Sequence, residues 1–346
     1  MTKHSSRQQK RSEKVSTHKA KAVKSNKKKS QSSSNPQYEK STVILEGVDV
    51  PCVLVSSPKK QNHVSEANHT EVSSTQTPQS NPVWGPCNVW VKTAGHKKSK
   101  CFQLKHPRVN PNTRSILIDW LMEVSEAYTL HRQTFYLAQD YFDRFMLTQK
   151  NIEKNLVQLI GVTCLFIAAK MEEACPPKLS QMAYVTAETY YEDEILEMEM
   201  LILNALEWNL SPETAVSWLQ LYFQMVSMNP NSDLMEPQFP QDTYVQMTKL
   251  LDLCIIDINS MDFEYRVLAA SVLCNFVPQS AVEKVSGLSK DVLQPCLKWM
   301  APFMKAAQLF GKVPLKDFKN VKPEDRHNIQ THTDYLGMQM IACKDQ

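Results

Sequence analysis

Between residues 113 and 310 the apolar positions recur at helical spacing, with no run of strand-like alternation. The stretch Leu156 to Lys170, LVQLIGVTCLFIAAK, is apolar on nearly every side and carries no charge before Lys170. A helix of that kind must be enclosed by other elements. At 1.5 Å per residue it spans about 22 Å, short of a roughly 30 Å hydrocarbon core, so it reads as a buried rod and not as a membrane span. Gly161, Thr163, Ala168 and Ala169 are small enough to let neighbouring helices approach closely.

Around this rod the pattern predicts further helices. One covers 113–128, with Ile116, Leu117, Trp120, Leu121, Val124 and Tyr128 as its buried face. A second covers 131–148, with Leu137, Tyr141 and Phe145 at i, i+4 and i+8. Pro176-Pro177 ends the rod, a short helix follows at 178–185, and Thr189 to Glu192 reads as a capping box opening a helix that ends near Trp208. Ser211-Pro212 reads as the next N-cap, before helices at 211–227 and 242–258. A second apolar rod, Tyr265 to Val277, follows, then a capping box at Ser280 and Glu283, and a longer helix from Ser289 to Phe310. The same order of elements thus occurs twice, which implies an all-α chain built on a duplicated five-helix unit.

Composition adds a tail. Residues 1–85 are rich in Ser, Lys, Gln, Asn and Thr and cannot bury enough apolar surface to order themselves. Residues 1–30 hold eleven Lys or Arg against one acid, so a +10 end precedes a body that sums to −7 within a net +3. That basic end, closing on Lys27, Lys28 and Lys29, suggests nuclear import. Ser57, followed by Pro58 and two lysines, and Thr77 before Pro78 are candidate sites for a proline-directed kinase. Trp84 and Trp90 open a transition zone, expected to dock, that runs to Pro107.

Catalytic chemistry finds little support. With seven glycines and neither GxGxxG nor GxxxxGK[ST], no phosphate-cradling loop is present. The nine cysteines show no CxxC spacing, and Cys164, Cys254 and Cys274 lie in apolar runs, which fits a reducing compartment. Residues 1–30 contain no apolar segment, so no signal peptide is expected there. His327 and His332 miss the i, i+4 spacing of a helical metal pair, and carboxylate runs such as Glu192-Asp193-Glu194 read as solvated faces. Neither metal nor cofactor is expected. Binding by a helical surface is the role left.

The motifs TRSILIDWLMEV, FYLAQDYFDRF, LVQLIGVTCLFIAAKMEE and EMEMLILNALEWNL, in that order and spacing, closely resemble the cyclin box. The resemblance covers residues 85–345, and HRQTFYLAQDYFDRFMLTQ, SWLQLY, LLDLCIIDI and EDRHNIQTHTDYL look like the E-type, G1/S group. It implies two tandem five-helix folds (111–209 and 210–312), a docking segment at 86–110 and an extension at 313–346. The implied function is activation of a cyclin-dependent serine/threonine kinase, in the nucleus, with no catalysis of the chain's own. By the same resemblance Lys170 and Glu199 would contact the kinase, with Ile167, Met171, Leu203 and Trp208 as apolar neighbours. Thr113, Ile116, Leu117, Trp120, Glu123 and Gln158 would form a patch for Arg-x-Leu segments of substrates and inhibitors. Arg114 and Asp143 would form a buried structural ion pair. The chain departs from the family in having Thr113 where Met is usual, and Ala174-Cys175 where Ile-Tyr is usual. It also lacks the C-terminal Thr-Pro-Pro degradation signal seen in many E-type members. A mitotic cyclin is the near alternative, but neither Arg7 nor Arg11 has the Leu three residues on that a destruction box needs. A transcription-associated adaptor of related fold would need a basic groove, and the body is acidic.

Overall fold

Asn110 starts the first long helix: its side chain accepts the Thr113 backbone N–H at 2.7 Å, and Pro111 occupies the first helical position. The computed structural model describes residues 97–187, 189–228 and 239–344. Within them the helices are α1 (Lys98–Lys105), α2 (Pro111–Ala127), α3 (Arg132–Thr148), α4 (Val157–Glu172), α5 (Leu179–Val185) and α6 (Glu192–Ala205). They continue as α7 (Ala215–Ser227), α8 (Gln241–Ile256), α9 (Tyr265–Leu273), α10 (Gln279–Ser286), α11 (Lys290–Leu309) and α12 (Tyr335–Lys344). The expected disordered tail, Trp84, Trp90, Ser57, Thr77 and Lys27–Lys29 lie outside the described residues.

Helices α2–α6 and α7–α11 repeat one order, so the duplicated all-α unit is present. In the first unit α4 is the rod, with Leu159 through Ala169 buried among α2, α3, α5 and α6. By length and composition the stretch Lys154–Glu172 could cross a membrane. Its burial inside the unit identifies it as a core helix. A Cβ on Gly161 would lie 2.6 Å from Leu117 Cδ1, so this glycine sets how closely α2 lies against α4. In the second unit α9 is the rod, buried from Val267 to Leu273 within α7, α8, α10 and α11.

Several expected caps are displaced. Helix α6 begins at Glu192, where Glu194 accepts the Tyr191 N–H at 2.8 Å, while the Thr189 hydroxyl donates to the Thr186 carbonyl instead. Helix α7 is capped by Thr214, which accepts from the Ser217 N–H at 3.2 Å, so Ser211-Pro212 lies in the preceding connection. Ser280 lies inside α10, whose N-cap is Pro278, and Glu283 bonds Gln279. The second rod stops at Leu273, before Val277. The transition zone contains α1, which docks on the second unit through Ser99 N and Oγ, both donating to Asp262 at 3.0 and 2.8 Å. Ile116 leaves the expected buried face and is 58% exposed.

Two buried polar joints tie the units together. Arg114 makes a two-pronged bond to Asp143 (2.8 and 2.7 Å) and also donates to the carbonyls of Ile255 and Ile256, at the end of α8. Burial opposes the guanidinium charge, yet Asp143 more than offsets it and raises the pKa. In the second joint Asp252 of α8 accepts from Arg132 (3.3 Å), Tyr136 (2.7 Å), Gln330 (3.0 Å) and Tyr335 (2.9 Å). Arg132 also donates to the His327 carbonyl and Thr331 hydroxyl, each at 3.0 Å. The joint therefore takes α3, α8 and the C-terminal extension into one network.

Candidate functional site

The last turn of α4 emerges from the core at Lys170, where the buried rod meets solvent. Its ammonium lies 4.2 Å above the Phe166 ring, one turn back, and pairs with Glu199 of α6. Glu199 is only 8% exposed, so an acceptor held by packing fixes the flexible lysine stem. Exposed apolar side chains surround the pair. Leu196 and Met200 flank Glu199 on α6, Met171 follows Lys170, and Trp208, 61% exposed, stands beyond the end of α6. Met200 is 51% exposed and adds, with Leu196, Met171 and Trp208, to the apolar area on this side of the unit.

The six residues expected at this face fall into two layers. Lys170, Glu199, Met171 and Trp208 reach or border the surface, whereas Ile167 and Leu203 are buried beneath it as support. Trp208 has a positive φ of 56°, in a left-handed turn after the helix, and so it is not part of α6. Leu196 and Met200 were not among the expected residues. Their signal is EILEMEMLIL, apolar on two sides, since Ile195, Met198 and Ile202 already fill the core face.

A clamp holds the end of α4. Glu173 accepts from the His131 backbone N–H (2.8 Å) and the Thr134 hydroxyl (2.5 Å), and meets His131 Nδ1 at 2.7 Å. The hydrogen bond to Glu173 raises the His131 pKa against the effect of burial. Burial pushes Glu173 the other way, but its bonds to His131 and Thr134 prevail and keep its pKa below the ordinary value. Ala174 and Cys175, at the departure from the family pattern, are exposed beside this clamp.

A second surface lies along α2. Thr113, Ile116, Trp120, Glu123 and Ala127 follow one stripe at helical spacing. Trp120, Glu123, Val124 and Ala127 form one wall of a groove of about 470 Å3, and Tyr184, Val185 and Ala187 from α5 and its end form the other. Leu117 is buried against Gly161, and Gln158 on α4 is half-buried; neither lines that groove. The Thr113 hydroxyl donates to Asn110 at 2.8 Å, which ties this rim residue to the helix cap. The α5 wall was not anticipated, although Tyr184, exposed on a short helix, was its available signal. Among the described residues no group of three His, Cys, Asp or Glu side chains could hold a metal ion. Burial pushes the thiols of Cys164 and Cys254 far up, so they act as apolar packing.

Comparison with known proteins gives the frame for both surfaces. The family model for the cyclin N-terminal domain matches residues 87–211, and that for the cyclin C-terminal domain matches 214–335. The G1/S-specific cyclin-E1 of Gallus gallus is 46% identical over 300 residues, covering 83% of this chain and 74% of that one. The Danio rerio G1/S-specific cyclin-E1 is 53% identical over 232 residues, covering 67% of this chain and 57% of its own. A solved viral cyclin from herpesvirus saimiri matches at 20% identity with a TM-score of 0.49, over 60% of this chain and 91% of that one. The chain belongs to the cyclin family, as a G1/S-type regulatory subunit that activates a cyclin-dependent kinase and has no catalytic activity of its own.

Proposed function

We propose that the kinase docks on the α4–α6 face, with the Lys170–Glu199 pair as its polar anchor. The observation that carries this reading is an ion pair set within the exposed Leu196, Met200, Met171 and Trp208. Apolar area of that kind supplies affinity, while a fixed charge pair sets register. Lys170→Ala and Glu199→Ala should each weaken kinase binding by about 2–5 kcal/mol, as truncating an interfacial hydrogen-bonded charge pair does. The melting temperature of the Lys170→Ala variant should hardly move, because Lys170 is exposed in the free chain. Calorimetric titration against the kinase decides it. Wild-type affinity in a folded double variant sinks the assignment.

The α2–α5 groove is the proposed seat for Arg-x-Leu segments of substrates and inhibitors. An exposed Glu123 beside an apolar cleft matches a ligand with one cation and one apolar side chain at short spacing. Nuclear localisation, driven by Lys27, Lys28 and Lys29, and modification at Ser57 and Thr77 complete the proposal. Both rest on sequence.

A further inference from the structure

Three carboxylates crowd the edge of the α2 stripe. Asp119 precedes Glu123 by four residues and Glu126 follows it by three, so both are its direct neighbours on the helix surface. Left alone, three like charges at that spacing would repel one another and would attract any polycation. The C-terminal extension changes this. His332 Nε2 meets Asp119 Oδ1 at 3.1 Å, Lys316 Nζ donates to Glu126 Oε1 at 2.5 Å, and the His332 backbone N–H donates to the other oxygen of Glu126. Gln339 reaches the same helix, donating to Ser115 at 3.3 Å. Glu123 makes no hydrogen bond or ion pair with any described residue, and it is exposed at the groove.

We infer that the strap formed by residues 313–334 sets the charge specificity of the α2–α5 groove, compensating Asp119 and Glu126 so that Glu123 alone is left to receive a ligand cation. This rests on the groove being a peptide-docking site, and it adds a determinant in another part of the chain. The ligand class that follows is a peptide with one basic residue close to its apolar anchor, for which further basic residues add little. The mutual placement supports it: Asp119 and Glu126 are turned toward the strap and partly covered, while Glu123 alone also lines the cleft. The Asp119 hydrogen bond, opposed by burial, raises the His332 pKa, with Glu123 and Glu126 acting in the same direction, so His332 itself keeps its positive charge further toward neutral pH.

The test is a titration of two synthetic peptides, one with a single Arg two residues before Leu, the other with two Lys added upstream. The wild type should bind both within about twofold. Lys316→Gln combined with His332→Gln should bind the polybasic peptide about three- to tenfold more tightly than the single-cation one, the range expected of one or two exposed charge pairs. Lys316→Arg should restore the wild-type ratio. Should the double variant melt early, Lys316→Met, which keeps the packing of the stem, must shift the ratio in the same direction. An unchanged ratio in a folded variant overturns the inference while leaving the docking site in place. Failure of the wild type to bind the single-cation peptide overturns the docking site and the inference with it.

Discussion

Gly161 shows how much one missing side chain decides. A methyl group there would need space already held by Leu117 Cδ1 at 2.6 Å, so the buried Leu117 side chain would have to shift within a close-packed core. Gly161→Ala should therefore lose about 1–3 kcal/mol in urea denaturation, as overpacking does, despite the gain in helix propensity. Adding Leu117→Ala should return less than the sum of the two losses, because one substitution makes the room that the other needs. Additive losses would show that the two helices do not meet there. Arg114 is a different case at the same scale. Its pairing with Asp143 was expected, but its bonds to Ile255 and Ile256 were not. A resemblance carries a pair of side chains, whereas backbone carbonyls from a distant helix have no residue identity to read.

Helices were the most legible level, and their ends the least. The rods at Val157–Glu172 and Tyr265–Leu273 announce themselves because continuous apolar runs have few other uses. Caps are ambiguous because many hydroxyl residues stand near each start. Ser211 precedes a proline and looks suitable, yet Thr214 wins because its hydroxyl also donates to Gln133 at 2.7 Å, a tertiary bond invisible in local pattern. The groove illustrates the same limit. One wall is the α2 stripe, readable from spacing, while the α5 wall depends on how a seven-residue helix is hung between α4 and α6. Spacing puts Ile116 on the core face and the resemblance puts it in the docking patch; its exposure removes it from the core face and leaves it on the α2 stripe. Thr113 stands at the rim of that stripe with a short polar side chain. Thr113→Met should tighten binding of an Arg-x-Leu peptide several-fold, bounded near 2 kcal/mol by about three methylene-sized groups at roughly 0.8 kcal/mol each. Equal affinities in peptide titrations would show that the rim does not contribute. The lost hydroxyl bond should cost little, since Asn110 still accepts the backbone N–H at position 113.

Across the molecule, a buried polar network joins the two units and the extension. His327 is buried there, edge-on to Phe239 and Tyr244 with ring centroids 5.5 and 5.4 Å away. Burial holds its pKa below the usual imidazole value. Below about pH 6.5 the unfolded chain takes a proton that the native ring refuses, so this residue removes stability as pH falls. His131 and His332, raised by their carboxylate partners, act oppositely: they stabilise below about pH 6.5, and that contribution is lost as pH rises through their native values. His327→Phe should therefore lose less stability than the wild type between pH 7 and 5.5 in urea titrations. An unchanged difference would exclude His327 as an acid-sensitive group. The joint at Asp252 also has a consequence for synthesis. Arg132 leaves the ribosome 120 residues before Asp252 and 195 before the His327 carbonyl that it needs. Until then a guanidinium destined for burial has no fixed acceptors, and an unpaired charge of that kind is strongly unfavourable in a closed core. The face of the first five-helix unit that carries Arg132 thus stays solvated on the ribosome and is covered only as the final segment emerges, so arrested nascent chains ending near residue 320 should be digested by protease more readily than full-length released chains.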